Sequence, residues 1–139
     1  MARSDRFSQA DRKNQIYSDF LTNLNRHPVS GDVVRYVNEQ AVIRAIKNLL
    51  MTDRRERLYQ PDVGSNIRKM LFEPMGSAAA QEIATLIRET IDAHEPRAKI
   101  LNVDVIPQYD ANRYVVNLTI LVINKTEPVN FNVTLTRVR

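Results

Sequence analysis

Two hydrophobic periods divide the second half of the chain. Between residues 77 and 94, Ala80, Ile83, Ala84, Ile87 and Ile91 recur at helical spacing, with Glu82, Arg88, Glu89 and Asp92 between them. This spacing predicts a helix over 78–94 with Ser77 as its N-cap. From residue 100 the period drops to two. Leu101, Val103 and Val105 alternate with Asn102 and Asp104, and Val116, Leu118, Ile120 and Val122 share one face of a second strand. Val129, Phe131, Val133 and Leu135 share one face of a third, leaving Asn130, Asn132, Thr134 and Thr136 on the other. The turns Tyr109–Asn112 and Asn124–Pro128 join the three strands, so the pattern predicts an antiparallel meander. The two periods meet at Glu95-Pro96-Arg97. Pro96 has no amide hydrogen and disfavours helical geometry at Glu95, which stops the helix there.

Upstream, Val42, Ala45, Ile46 and Leu49 form one stripe of a helix expected over Glu39–Met51, with Asn38 as N-cap. A turn-rich connection containing Pro61 and Gly64 leads to a short helix over 66–72 that buries Ile67, Met70 and Leu71. Residues 15–22 read as a short strand with Tyr17 on one face and Ile16, Ser18 and Phe20 on the other. Helices precede the sheet and no βαβ repeat is present, so the fold class is α+β, with helices packed on a C-terminal antiparallel β-meander. Residues 1–15 read as a flexible N-terminal arm and 16–139 as a single domain.

Composition narrows the chemistry. The chain has no cysteine, which removes disulfides and thiolate metal sites, and fits assembly in a reducing cytoplasm. Three glycines, at 31, 64 and 76, cannot build a glycine-rich phosphate loop. Two distant histidines make a poor metal framework, and no cofactor motif is present. No stretch approaches the roughly 20 apolar residues of a membrane helix. Residues 1–70 carry 13 Lys/Arg against 8 Asp/Glu, and Arg54, Arg55 and Arg57 form the densest cluster. That cluster admits a nucleic-acid-binding module as an alternative. Asp53 and Glu56 interrupt it, however, which favours a solvated loop or a protein contact.

Paired carboxylates are the remaining route to catalysis. Glu89 and Asp92 lie at i, i+3 and Glu95 follows, but they fall on the solvated helix face or beside Arg97. Glycoside hydrolysis requires one carboxyl held protonated near an ionised partner, and nothing in this arrangement supplies it. Glu95 and Arg97 themselves fit two readings: a local pair, worth about 0–1 kcal/mol if exposed, or an Arg97 fork offered to another chain. The last strand raises a different question. From Val129 to Thr136 there is no charge and no proline, so an open edge there invites pairing with another chain. The strand is interior to the sheet, covered by the segment around Tyr17–Phe20, or open to a partner.

The run from Asp32 through Asn38 to Thr52, followed by Glu56-Arg57, Pro61, Gly64, Leu71–Met75, Glu95-Pro96-Arg97 and Val103–Pro107, resembles a known family. In order and spacing they are similar to the baseplate wedge proteins of contractile-tailed bacteriophages, the sheath-initiator family once labelled lysozyme-like. Related subunits occur in phage-tail-like particles and in the type six secretion baseplate. The resemblance spans roughly residues 16–138, and departs from the family at Asp53-Arg54-Arg55, where a Pro-Gly turn is common.

The resemblance implies a domain like the handshake part of a sheath subunit, working as a structural protein of the virion tail baseplate. It implies Glu95, Pro96 and Arg97 as the contact to the wedge's core bundle. Val129, Asn130, Phe131, Asn132, Val133, Thr134, Leu135 and Thr136 become the sheath-facing strand, with Tyr17 and Phe20 as a weaker candidate. The implied partners are other wedge proteins and the tail sheath protein, in six copies per baseplate, with no nucleic acid, membrane or cofactor. On this reading Arg97→Ala weakens incorporation and leaves the fold intact. The old lysozyme label keeps a peptidoglycan-degrading enzyme as an alternative.

Overall fold

The structure, a computed structural model, describes residues 16–21, 24–29, 31–123 and 125–137. The arm read over 1–15 lies outside the described residues. The chain divides into two compact units, Met1–Ala41 and Val42–Arg139.

In the first unit β1 (Ser18–Phe20) pairs antiparallel with β2 (Arg35–Val37), in the register Ser18↔Val37, Asp19↔Tyr36 and Phe20↔Arg35. The short strand expected around Tyr17–Phe20 is therefore present. The carbonyl of Tyr17 accepts the Asn38 amide at 2.7 Å, and the Asn38 side-chain oxygen accepts the Ile16 amide at 2.9 Å. Asn38 is thus a clasp on the chain entering β1, a role that its spacing before the helix does not reveal.

Helix α1 (Glu39–Met51) begins in the first unit and continues into the second. Val42, Ile46 and Leu49 of the expected stripe are buried, Leu50 joins them, and Ala45 is half-buried. After the connection comes α2 (Ile67–Met70), one turn long, with Ile67 buried and Leu71 buried just beyond it. Helix α3 (Ser77–His94) starts one residue earlier than its sequence suggests. Gly76, in extended conformation, is the N-cap and makes no side-chain capping bond; Ser77 is already helical. Ile83, Ile87 and Ile91 are fully buried along its inner face, each contributing about 1.5–3 kcal/mol. Thr90, which the polar pattern places outside, is buried as well.

The sheet has the order β3–β4–β5, all antiparallel, from β3 (Ala98–Gln108), β4 (Arg113–Val122) and β5 (Val129–Thr136). Helix α3 packs on β3. Central strand β4 buries Tyr114, Val116, Leu118, Ile120 and Val122, as alternation requires. In β5 Val133 and Leu135 are buried while Val129 and Phe131 are half-buried, because burial fades toward the strand's start. One expectation fails in β3. The register shifts between Ile100 and Asn102, and Leu101 is left 49% exposed rather than facing inward with Val103. A bulge adds one residue to a strand, so side chains before and after it keep their faces and the extra one loses its own.

Candidate functional site

The residues singled out from the sequence fall on three surfaces: the hinge at residues 95–97, strand β5 at one edge of the meander, and strand β1.

At the hinge, the Glu95 amide makes the last helical bond, to the Ile91 carbonyl at 2.8 Å. The Glu95 carbonyl then accepts Ala98 N–H at 3.2 Å, closing a tight turn around Pro96. The Arg97 carbonyl accepts the Ile123 amide at 2.9 Å, which ties the hinge to the end of β4. Across the turn, Arg97 Nε and Nη2 donate to Glu95 Oε1 and Oε2 at 2.6 and 2.7 Å. This is the bidentate fork in its full form, made within the hinge itself. Of the two readings the local pair is present, but the value for an exposed pair does not apply to it, because the Glu95 side chain is only 6% exposed against 36% for Arg97. Removing Arg97 would strand a buried carboxylate, so an Arg97→Ala variant with an undisturbed fold is not what this geometry predicts. Pro96, between the two, is exposed.

The carboxylates weighed for catalysis do not converge on a pocket. Glu89 and Asp92 are exposed on α3, and both oxygens of Glu95 are engaged by Arg97. Among the described residues, no three His, Cys, Asp or Glu side chains gather as metal ligands. No helix there is long and apolar enough to cross a membrane.

Strand β5 lies at one edge of the sheet and β3 at the other. Among the described residues, the backbone of 129–136 makes hydrogen bonds only to β4. Strand β1 pairs with β2 in its own sheet. The two edges differ in chemistry. Along β3 stand Lys99, the bulge at Leu101 and Pro107, each a device that discourages pairing. Along β5 there is no charge, proline or bulge. Beside its C-terminal half lies an open depression of about 530 Å³, floored by Leu50, Ile67, Leu71 and Leu135, with Met51 and Phe72 at its lip. On the outward sheet face the register aligns Asn102–Thr119–Asn130 and Asp104–Asn117–Asn132 as two polar rows. In the first unit Tyr17 is half-buried and Phe20 is 61% exposed.

Sequence reasoning passed over one surface feature. Leu58 and Tyr59, in the connection between α1 and α2, are 91% and 98% exposed. Two large apolar residues between Arg57 and Gln60, in a turn-rich stretch, were the available signal.

Comparison with known proteins gives this geometry its context. The family described as baseplate wedge protein gp25 matches residues 37–128, about two thirds of the chain. The chain belongs to the baseplate wedge protein gp25 family. Baseplate wedge protein gp25 of Enterobacteria phage T4 is 26% identical over 116 residues, covering 84% of this chain and 87% of that protein. A crystal structure from Geobacter sulfurreducens, named as a candidate tail lysozyme, is similar at a TM-score of 0.70 and 23% identity. It covers 76% of this chain and 96% of its own. A chain of the sixfold-symmetrised anti-feeding prophage baseplate is similar at a TM-score of 0.60 and 20% identity, covering 88% and 87%. At such identities the two structures speak for the α+β fold alone. As a gp25-family member the chain is a baseplate wedge protein of a contractile tail system, assembling with other baseplate proteins.

Proposed function

We propose that this gp25-family chain is a non-enzymatic template: it anchors to the wedge core through the hinge at Glu95, Pro96 and Arg97, and seeds the first sheath ring by strand addition to β5. The observation that carries this is the open edge of β5, eight residues long and without charge or proline, in a sheet whose other edge is blunted. Backbone pairing there is generic, and alternation of the side chains sets the register. The depression beside Leu135 gives an incoming apolar side chain a seat. The buried fork between Glu95 and Arg97 supports a rigid anchor, with Pro96 exposed at its apex. The sixfold symmetry of the related prophage baseplate supports six copies, presenting six edges in a ring. Tyr17 and Phe20 are a secondary sheath contact in this scheme.

Neighbouring residues of a strand aim their amides at opposite edges. Of Val133→Pro and Thr134→Pro, one therefore cuts a bond to β4 and the other removes only an outward donor. The outward variant should keep its circular dichroism and its place in the baseplate, yet leave tails without sheath. Normal sheaths on both variants would refute strand addition at β5. Turnover of peptidoglycan by the purified chain, abolished by Glu95→Gln, would instead establish an enzyme.

A further inference from the structure

The connection between α1 and α2 is built too firmly for an idle loop. Its ends are joined by a parallel bridge between Asp53 and Ser65, with Ser65 N–H donating to the Thr52 carbonyl at 2.8 Å. The buried Ser65 hydroxyl donates to the Leu50 carbonyl at 2.8 Å. Arg55 N–H reaches across to the Pro61 carbonyl at 2.8 Å, and the Glu56 carboxylate accepts the Asp53 amide at 2.8 Å. Arg68 holds the Asp53 carboxylate from outside at 3.1 Å. Gly64, at φ 136, lets the two strands of the loop touch, since a Cβ there would lie 2.8 Å from the Thr52 and Asp53 backbone.

This frame displays Leu58 and Tyr59 at 91% and 98% exposure. Around them Arg54, Arg55 and Arg57 are exposed, and none has a side-chain partner among the described residues. Two of the loop's carboxylates are already engaged, Asp53 by Arg68 and Glu56 by the Asp53 amide. Tyrosine and arginine are the side chains that most often dominate protein interfaces, and a loop fixed before binding loses little entropy on docking.

We propose that residues 53–65 form a preorganised docking knob that inserts Leu58 and Tyr59 into an apolar pocket with a carboxylate rim on another protein of the same particle. The occupant follows from complementarity. The two apolar side chains require an apolar pocket, and three unpaired guanidinium groups require an acidic rim. A second copy of this chain is a poor host, because among the described residues the one carboxylate lining its apolar depression, Asp53, is already paired with Arg68, and Arg137 adds a second positive charge to the lining. A nucleic acid is disfavoured by the aliphatic Leu58 at the tip and by Glu56 and Asp62 in the same loop. This knob is separate from the hinge and from β5, and depends only on the chain's place in the baseplate.

The test uses the full-length chain assembled into particles in producing cells. With p-benzoylphenylalanine at position 59, irradiated particles should yield an adduct to a different protein subunit, mapped by mass spectrometry within a few residues of Asp or Glu. The pairs Leu58→Ala with Tyr59→Ala, and Arg54→Glu with Arg57→Glu, should each melt like the parent. Each should lower occupancy per particle at least about tenfold when the chain is limiting. An adduct to nucleic acid or to a second copy, no adduct at all, full occupancy by both variants, or absence of the chain from particles would each overturn the proposal. The outward β5 proline variant, which keeps its place in the baseplate, leaves the adduct unchanged, so failure of the knob and failure of strand addition are read separately.

Discussion

Replacing Arg97 by alanine isolates the hinge. The substitution leaves the Glu95 carboxylate at 6% exposure without the two charge-assisted bonds, 2.6 and 2.7 Å long, that now hold it. Breaking a fully buried pair costs about 3–5 kcal/mol, and an exposed pair contributes about 0–1 kcal/mol. Arg97 is itself 36% exposed, so solvent screens one end and the cost falls between, at about 2–3 kcal/mol. For a chain of this size that corresponds to a melting temperature lower by roughly 6–12 °C. Urea or thermal unfolding of the parent, Arg97→Ala, Glu95→Gln and the double variant completes a cycle. The double variant should be more stable than Arg97→Ala alone, because the amide has no charge to strand, with a coupling of about 1.5–2 kcal/mol. An Arg97→Ala protein within about 0.5 kcal/mol of the parent, or strictly additive effects, would refute the claim that the pair holds the hinge.

Gly64→Ala combines a φ of 136 with a Cβ 2.8 Å from the Thr52 and Asp53 backbone, and should cost about 3 kcal/mol or more in unfolding experiments. A loss below about 1 kcal/mol would mean that the loop frame yields freely. Ile87→Ala, at a fully buried position on α3, should cost about 2–5 kcal/mol. Ile106→Ala, at 44% exposure on the outward sheet face, should cost less than about 1 kcal/mol, and equal losses would contradict the assigned faces. Tyr114→Phe should be neutral or stabilising by up to about 1 kcal/mol by the same measurement. The buried Tyr114 hydroxyl finds no protein partner among the described residues, so its removal sacrifices no hydrogen bond.

The elements were legible because each has one dominant period. Val116 to Val122 alternate in the sequence and alternate in burial, and Ile83, Ile87 and Ile91 repeat the same agreement at helical spacing. What escaped the pattern is backbone detail that one residue more or less decides. The Leu101 bulge leaves the composition of β3 unchanged while moving a leucine out of the core. The start of α3 at Ser77 depends on extended geometry at Gly76, not on a capping side chain. The burial of Glu95 was beyond reach for a related reason. Spacing at i, i+2 brings Glu95 and Arg97 to one side of the chain but does not say whether that side faces water. Leu58 and Tyr59 were hidden differently, because a turn-rich segment carries no periodicity against which two exposed apolar residues stand out.

The two edges of the meander are protected unequally. Both β3 and β5 are edges of one small sheet, formed by the same stretch of chain under the same need to avoid pairing with strangers. At β3 that need is met three times over, by Lys99, by the bulge and by Pro107. At β5 it is not met at all, over eight consecutive residues without charge, proline or bulge that include the strand formers Val129, Phe131, Val133, Thr134 and Thr136. Chance placement of polar residues does not readily distribute protection so unevenly. A strand that must stay available to a neighbour can carry none of these devices, because each would block the intended partner as effectively as an unwanted one. Under the proposed strand addition the risk is limited by occupation, because the subunit that pairs with β5 also covers it.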